Sequence, residues 1–290
     1  MDGWRSRPIL YCGETQENSE LDAERPGKSL YLRVEQILKT MDYRVLAEQC
    51  IEWIREWFAP FGAECCAVIG MSGGKDSTVC AALCAEALGR ERVVGVALPS
   101  DGQSLNEADE ICKHLGIRYL NLPIGRIDSE FNALGALLPE GKFSKQTEQN
   151  IPPRIRMTVL YAVAQTVNGM VANTCNLSED YIGYATIYGD ASGSFSPLGR
   201  LCVREVRGIG HALDVPSVWV DKTPDDGLPH SCSDEQKLGF TYETLDRYIR
   251  EGVCEDAATK EKIDRLHRKN LFKTEILHIP SFDPGIEVKA

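Results

Sequence analysis

Several features that would classify a protein at once are missing from this sequence. It contains no run of about 20 apolar residues, the length a transmembrane helix needs, and its first residues lack the apolar core of a secretory signal. Its 11 cysteines are scattered, mostly within apolar stretches, and none forms a CxxC pair. A zinc or redox-disulfide site therefore has little support, and we predict reduced, buried thiols in a cytoplasmic protein with no membrane partner.

Positive charge is also scarce. The chain has 32 Lys and Arg against 43 Asp and Glu, which gives a net charge of −11 and a pI near 5.1. This balance argues against a nucleic-acid partner held mainly through its phosphates. It still permits a local pocket for a small phosphorylated ligand. With 290 residues, 43% of them apolar, the chain is long enough to bury a sizeable core.

Polarity divides the chain into two parts. Residues 1–40 are polar and show little periodicity, so we expect an N-terminal extension that is partly ordered at best. Residues 41–290 are expected to form a single domain. A helix is predicted from Tyr43, with apolar side chains at helical spacing up to Phe58, and Pro60 and Gly62 end it.

Short apolar strands then alternate with helices. Strands are predicted at 65–69, 93–98, 117–122 and 170–173, and helices at 76–88, 105–115 and 154–168, the last beginning after Pro152 and Pro153. Because parallel neighbours need crossover helices, this order predicts an α/β fold: a doubly wound, mostly parallel sheet with helices on both faces. Residues 173–179 are predicted to be a loop and 220–233 a mobile loop. Further helices are predicted at 202–213, 242–250 and 257–267.

The most informative segment lies between the first strand and its helix. It reads Gly70, Met71, Ser72, Gly73, Gly74, Lys75, Asp76, Ser77. Adjacent glycines let the backbone approach an anion, the following helix points its amides at the same place, and Lys75 adds a cation. Asp76 would repel a bare phosphate, which indicates a metal ion beside the phosphates. The alternative is a structural turn capped by Asp76 or Ser77. The segment matches neither GxxxxGK[ST] nor GxGxxG.

SGGKDS after a strand resembles the pyrophosphate-binding signature of the ATP pyrophosphatases that adenylate a substrate, which have the adenine nucleotide alpha hydrolase-like, Rossmann-like fold. From about residue 41 to residue 284, the chain resembles the ammonia-dependent NAD synthetases among them. The matching stretches are GMSGGKDS, PPRIRMTVLYAVAQ, NTCNLSEDYIGYATIYGDASGSFSPLGRL, KTPDDGL, DEQKLGFTYETLDRYI and IDRLHRKNLFK.

This resemblance implies a reaction. A carboxylate of deamido-NAD attacks the α-phosphorus of ATP, pyrophosphate leaves, and ammonia then displaces AMP to give NAD. It implies Mg²⁺ as cofactor, ATP as co-substrate and a homodimer. The long helix after Pro152 fits an interface and an ordinary core equally well. Glutamine-dependent members have an added glutaminase domain, whereas only about 40 residues precede the matching region here, so free ammonia or a separate glutaminase subunit is the expected nitrogen source.

The resemblance also assigns residues to roles. Gly70 to Ser77 together with Thr174 would bind ATP, Lys75 and Asp76 would be catalytic, Asp76 and Glu179 would bind magnesium, and Arg154, Phe272 and Lys273 would bind deamido-NAD. Each of the residues outside the loop has a simpler alternative. Glu179 could be a solvated acid at a helix start, Thr174 a strand-end cap and Arg154 a solvated cation. Phe272 and Lys273 could be a core aromatic beside a surface lysine.

Four positions depart from the family pattern. Ile187 replaces a basic residue, Ser194 an aspartate, Val203 a lysine or threonine, and Asp225 a threonine or serine. In addition, residues 230–235 read HSCSDE where close relatives have GKTDE. The ATP loop is intact while the dinucleotide side is altered. Two alternatives therefore stay open: an adenylating amide synthetase for another carboxylate, and a nucleotide-binding relative that has lost turnover.

Overall fold

The structure is a computed structural model. It describes residues 41–103, 106–222, 233–276 and 281–287. The predicted extension, residues 1–40, lies outside the described residues, as does most of the loop predicted at 220–233. The described residues from Asp42 onward belong to one compact unit, Asp42–Ala290.

A four-stranded parallel sheet forms the centre of this unit. Its strands are β1 (Cys66–Gly70), β2 (Val93–Ala97), β3 (Arg118–Asn121) and β4 (Gly169–Val171). Their order across the sheet is β3-β2-β1-β4, and every neighbouring pair is parallel. The chain steps outward from β1 to β3 and then returns to the other side of β1. This reversal opens a crevice at the carboxyl ends of β1 and β4, which is where open α/β sheets bind ligands.

Eleven α-helices of the described residues surround the sheet. They are α1 (Tyr43–Phe58), α2 (Lys75–Leu88), α3 (Asn106–Leu115), α4 (Gly125–Ala133), α5 (Lys145–Thr166), α6 (Leu177–Ile182), α7 (Val203–Ala212), α8 (Ser217–Val220), α9 (Asp234–Leu238), α10 (Tyr242–Glu251) and α11 (Ala257–Ile276). Short 3₁₀ turns lie at Ala59–Phe61, Arg90–Arg92 and Leu134–Leu137.

Both faces of the sheet are covered by helices. Side chains alternate along a strand, and Val68, Val94 and Val96 pack with α5 in one apolar cluster. On the opposite face, a Cβ at Gly95 would lie 2.6 Å from the Sγ of Cys112 in α3, so this strand residue allows close approach of the helix. The predicted α/β class, with a parallel sheet and helices on both faces, is confirmed.

The structure corrects three predicted boundaries. Helix α5 begins at Lys145, and Pro152 and Pro153 lie inside it. The Ser144 side chain caps the helix by accepting from the Thr147 amide at 3.2 Å, so the helix starts two turns before the prolines rather than at them.

The second correction concerns Glu179, which lies in the first turn of α6 and not in a loop. The third concerns the last helix, which continues from His267 to Ile276 and therefore includes Phe272 and Lys273. Both errors arose because polar residues interrupt the apolar spacing on which the boundaries were predicted.

The cysteines agree with the prediction of reduced thiols. All cysteines that the structure describes are free, and most are buried. None of the helices in the described ranges has the length and apolar character needed to cross a membrane.

Candidate active site

A cavity of about 660 Å³ opens at the carboxyl ends of the central strands. Its floor is the glycine-rich loop after β1, and its walls come from the ends of β2 and β4, from α5 and from the start of α6. The residues that the sequence analysis assigned to it and that line it are Gly70, Met71, Ser72, Gly74, Lys75, Asp76, Ser77, Thr174 and Glu179. The predicted phosphate and metal residues are thus brought to one place.

The loop is held open by its own hydrogen bonds. Gly73 has a φ of +81°, which favours glycine. The Gly74 amide donates to Ser72 Oγ at 3.2 Å, and the hydroxyls of Ser77 and Thr78 donate to the Gly74 carbonyl at 3.1 and 2.7 Å. These bonds fix the entry into α2, whose first amides point toward the cavity. A helix N-terminus with such a loop is an anion-binding site.

Lys75 and Asp76 form a charged pair beneath the loop. Lys75 is only 4% exposed, and its Nζ lies 2.8 Å from Asp76 Oδ2. Burial lowers the pKa of Lys75, but the nearby charges of Asp76 and Glu179 outweigh that effect and raise the pKa overall. The lysine therefore stays cationic in a buried site.

Asn176 joins the two predicted magnesium ligands. Its Nδ2 donates to Asp76 Oδ1 at 3.0 Å, and its Oδ1 accepts the Glu179 amide at 3.1 Å. Glu179 Oε2 accepts the Asn176 amide at 3.4 Å, which completes a capping box. The pattern Asn-x-x-Glu is a known signature of a helix start, so the sequence itself contains a signal for the position of Glu179.

The two carboxylates fit a magnesium ion. Burial raises the pKa of Glu179 well above its usual range, and the charge of Asp76 raises it further. A cation between them would remove this repulsion. No group of three or more metal-ligating side chains is found among the described residues. Magnesium does not require one, because it commonly takes one or two carboxylates and completes its shell with phosphate oxygens and water.

Asn173 shapes the cavity wall at the end of β4. Its Nδ2 donates to the carbonyls of Asp190 and Ser192 at 2.9 and 3.1 Å, and its Oδ1 accepts from the Cys175 amide at 3.1 Å. This anchors the segment 190–195 against the strand. As a result, Asp190, which was not predicted from the sequence, lines the cavity. Thr174, between Asn173 and Cys175 in the chain, is half-buried.

The three residues assigned to deamido-NAD lie outside the cavity lining. The exposed Arg154 donates from Nε to the Ile187 carbonyl at 3.1 Å. Lys273 Nζ donates to the carbonyls of Gly183 and Ala185 at 2.6 and 2.8 Å, and Phe272 is 48% exposed. Arg154 and Lys273 thus converge on the segment 183–187. In the described part of the chain, none of the three lines the cavity.

Arg156 is a further cavity residue that sequence reasoning missed. Its Nε donates to the Leu98 carbonyl at 3.0 Å, and its Nη2 donates to Ser100 Oγ and Gln103 Oε1 at 3.0 and 2.9 Å. Two positions along a helix turn a side chain by about 200°, so Arg154 and Arg156 face opposite ways. The family pattern assigned a role to Arg154 only, so no role was predicted for Arg156, two residues later.

An ion pair also crosses the front of the loop. Lys222 Nζ contacts Glu107 Oε2, and a Cβ at Gly73 would lie 3.2 Å from that same oxygen. Both side chains line the cavity. Glu107 therefore occupies space beside the loop, and Lys222 offsets its charge.

The departures from the family pattern have different surroundings. Val203 is 6% exposed and belongs to an apolar cluster, so its side chain is a core group here. Ile187 and Ser194 are both half-buried, and the Ser194 amide donates to the Val171 carbonyl at 2.7 Å. Asp225 lies outside the described residues.

Comparison with known proteins identifies relatives of this chain. A family model described as NAD synthase matches residues 46–281. The NH(3)-dependent NAD(+) synthetase of Methanococcus aeolicus is 40% identical over 63% of this chain and 72% of that protein. That of Chlorobium phaeovibrioides is 36% identical over 86% and 94% of the two chains.

Solved structures give the same picture. The NMN synthetase from Francisella tularensis superposes with a TM-score of 0.74 at 30% identity, covering 81% of this chain and 96% of that one. The NH3-dependent NAD synthetase from Campylobacter jejuni gives a TM-score of 0.64 at 27% identity with the same two coverages.

Proposed function

Because this chain belongs to the NAD synthase family, we propose that it is a ligase that converts deamido-NAD to NAD with ATP and ammonia. The observation that supports this most directly is the meeting of the SGGKDS loop, Asp76 and Glu179 in one cavity. Such a site is suited to bind the phosphates of a nucleoside triphosphate next to a cation. It is suited to an attack on phosphorus by a carboxylate.

The proposed first step is adenylation. A carboxylate oxygen of the substrate attacks the α-phosphorus of ATP, the bond from that phosphorus to the bridging oxygen breaks, and pyrophosphate leaves. The amides of the loop and Lys75 would neutralise the charge that moves onto the leaving group. Asp76 and Glu179 would hold the magnesium ion, which supplies charge neutralisation when bound. Arg156 would fix the end of β2 against the nucleotide.

The second step releases AMP. Ammonia attacks the acyl carbon, and AMP departs with the former carboxylate oxygen while the nitrogen loses a proton. Asp190 lines the cavity and is placed to accept that proton. Behind it, burial and the charge of Asp190 raise the pKa of Asp180 to about 7. A group with a pKa near the working pH is suited to pass on a proton.

We further propose that residues 41–290 form one catalytic domain that acts as a cytoplasmic homodimer. The support for the dimer is a set of exposed apolar side chains along α4 and the turn after it: Ile127, Phe131, Leu134, Leu137 and Leu138, with exposures of 41 to 81%. Contiguous exposed apolar surface is typical of an interface. Leu137→Asp should shift the protein from dimer to monomer in light scattering.

A second candidate substrate is the mononucleotide of nicotinic acid. It is favoured by the likeness to the Francisella NMN synthetase, whose TM-score of 0.74 exceeds the 0.64 of the Campylobacter NAD synthetase. It also agrees with Ile187 and Ser194, which remove a charge pair expected for the dinucleotide. The chemistry at the carboxylate would be the same.

The test uses the purified full chain with ATP, Mg²⁺ and ammonium, and either deamido-NAD or nicotinic acid mononucleotide. AMP and the amide product are measured together. The proposal expects equal amounts of AMP and NAD, with a higher kcat/KM for deamido-NAD. A higher kcat/KM for the mononucleotide would favour the second candidate. ATP binding without an amide from either substrate would contradict both.

A further inference from the structure

Tyr242, the first residue of α10, has a buried hydroxyl that the proposed chemistry does not use. The residue is 4% exposed, and its phenol has no hydrogen-bond partner within the described ranges. A buried polar group without a partner costs free energy, so such groups call for an explanation. Tyr248 on the same helix provides a contrast, since its hydroxyl donates to Asp264 at 2.6 Å.

The phenol of Tyr242 lies next to the charged part of the site. Lys75 Nζ is 5.8 Å from the centre of its ring. Burial raises the pKa of this phenol strongly, and the charges of Glu179, Asp234 and Asp76 raise it further. A phenol is a hydrogen-bond donor at neutral pH, and the ring of Tyr242 lies beside the Lys75–Asp76 pair, because Lys75 Nζ is also 2.8 Å from Asp76 Oδ2.

Helix α10 also holds the turn to which Glu179 belongs. Asp246 lies four residues after Tyr242, hence on the same helix face, and accepts from Ser178 Oγ at 2.5 Å and from the Arg204 amide at 2.8 Å. Ser178 directly precedes Glu179 in the first turn of α6. The face of α10 that contains Tyr242 and Asp246 is thus fixed against this turn.

We propose that Tyr242 is a positioning residue of the metal site, whose hydroxyl donates to the Glu179 carboxylate when that carboxylate turns to bind magnesium with the nucleotide. This rests on the proposed function, which makes Glu179 a metal ligand. Metal-binding carboxylates are in turn hydrogen-bonded by outer residues, and loss of such a partner typically lowers metal affinity. Here burial holds the Tyr242 hydroxyl in place before any ligand binds. The Glu179 carboxylate would come within hydrogen-bond distance of it when magnesium and the nucleotide bind.

The experiment compares the full-length wild type with Tyr242→Phe and Tyr248→Phe. Mn²⁺ serves as the probe for the metal site, and its binding is followed by electron paramagnetic resonance in the presence of α,β-methylene-ATP, which cannot be cleaved at the α-phosphorus. We expect Tyr242→Phe to weaken Mn²⁺ binding roughly tenfold and Tyr248→Phe to leave it unchanged. Without ligands, Tyr248→Phe should lower the unfolding temperature, whereas Tyr242→Phe should not.

The outcomes separate this inference from the function on which it rests. Wild-type Mn²⁺ affinity in Tyr242→Phe would show that only the ring matters and would overturn the positioning role while leaving the metal site in place. Failure of the wild type to bind Mn²⁺ with the analogue would overturn the metal assignment as well. A Tyr242→Phe variant that unfolds well below the wild type would assign the hydroxyl to stability in the unloaded protein, which also contradicts the proposal.

Discussion

The candidate site has two sides that are built differently: the phosphate side lines the cavity, and the second side is the segment 183–187, which is not among the residues that line it. On the phosphate side, Lys75, Asp76 and Asn176 are bonded to one another, and Lys75 and Asn176 are almost wholly buried. On the other side, the segment 183–187 is held from outside by Arg154 and Lys273, whose donors are used on backbone carbonyls. The charged side chains of the phosphate side are therefore fixed in place before a ligand binds. The second side is a backbone segment whose conformation is stabilised by Arg154 and Lys273.

This difference agrees with two of the four departures from the family pattern, those at Ile187 and Ser194. A buried ion pair cannot lose one partner cheaply, because the remaining charge is left without compensation. The glycine loop, Asp76 and Glu179 accordingly match the family pattern. Ile187 and Ser194 are both half-buried, so a charge lost at either position has access to water. We therefore expect substitutions on the phosphate side to act on chemistry and those on the second side to act on substrate choice.

The largest expected effect comes from Asp76→Asn. This change removes a metal ligand and the partner of Lys75, so magnesium-dependent AMP formation should fall by roughly a hundredfold or more. The matched control is Asp109→Asn, which removes a surface pair with Lys113 and should leave the rate unchanged. Initial rates of AMP release measure both. A nearly normal rate of AMP formation in Asp76→Asn would contradict the expectation that the phosphate side controls the chemical step.

The two arginines of α5 test the division directly. Arg156→Met should raise the KM for ATP by about tenfold, since it removes the arginine donor from the Leu98 carbonyl and one of the donors to Gln103 Oε1 at the cavity wall. Arg154→Met should raise the KM for deamido-NAD and leave that for ATP unchanged. Steady-state kinetics with each substrate varied in turn give both values. The same KM pattern in the two variants would contradict the division.

Asp180, the half-buried residue that follows Glu179 in α6, should affect the pH dependence of stability. The pKa of Asp180 is raised from 3.8 to about 7 by burial and by Asp190. Between pH 4 and 7, the folded protein holds a proton that the unfolded chain has lost, so the free energy of unfolding falls as pH rises. The expected slope from this group is about 1.4 kcal/mol per pH unit.

Asp180→Asn should remove that slope, which urea unfolding of the protein without magnesium or nucleotide can measure. Asp264→Asn is the matched control of opposite sign, because hydrogen bonds from Tyr248 and Lys260 lower the pKa of Asp264. Asp264→Asn should lower the free energy of unfolding above pH 4. The change of that free energy with pH between pH 5 and 7 should be the same as in the wild type. An unchanged slope in Asp180→Asn would show that this carboxyl titrates normally.

The smallest expected effect is a gain. Ile187→Lys together with Ser194→Asp would restore the charge pair of the family pattern, and we expect the KM for deamido-NAD to fall by about threefold, as for a partly exposed ion pair worth less than about 1 kcal/mol. The KM for nicotinic acid mononucleotide should not change. Equal KM values for deamido-NAD before and after the change would mean that this side recognises its substrate by other contacts.

Sequence reasoning brought the SGGKDS loop, Asp76 and Glu179 to one place, as the cavity lining agrees, but it did not place the residues around the segment 183–187, and the binding roles on both sides stay predictions. Strand β1, the SGGKDS loop and α2 are local in sequence, and their chemistry follows from residue types in order. Glu179 and Asp76 are 103 positions apart, and their meeting required the family resemblance. The roles of Asn176 and Arg156 depend on which way a side chain points. Asn176 had a capping signal, whereas Arg156 had none apart from its helical position.

Pro152 and Pro153 show that a helix start cannot be predicted from the positions of prolines alone. Pro at a helix start is favoured, yet Ser144 caps α5 earlier and the helix continues through Pro152 and Pro153. Tertiary packing of Ile151, Ile155 and Leu160 against the sheet outweighs the amides that the prolines lack. Lys273 is a similar case, because its assignment as a ligand contact could not foresee two backbone carbonyls as partners.

The most direct test of adenylation is transfer of oxygen from the carboxylate to AMP. Deamido-NAD labelled with ¹⁸O in its carboxylate is turned over with ATP, Mg²⁺ and ammonium, and the AMP is analysed by mass spectrometry. If the carboxylate attacks the α-phosphorus, each AMP carries one ¹⁸O atom and the pyrophosphate carries none. Unlabelled AMP with label in the pyrophosphate would place the attack on another phosphorus and contradict the account.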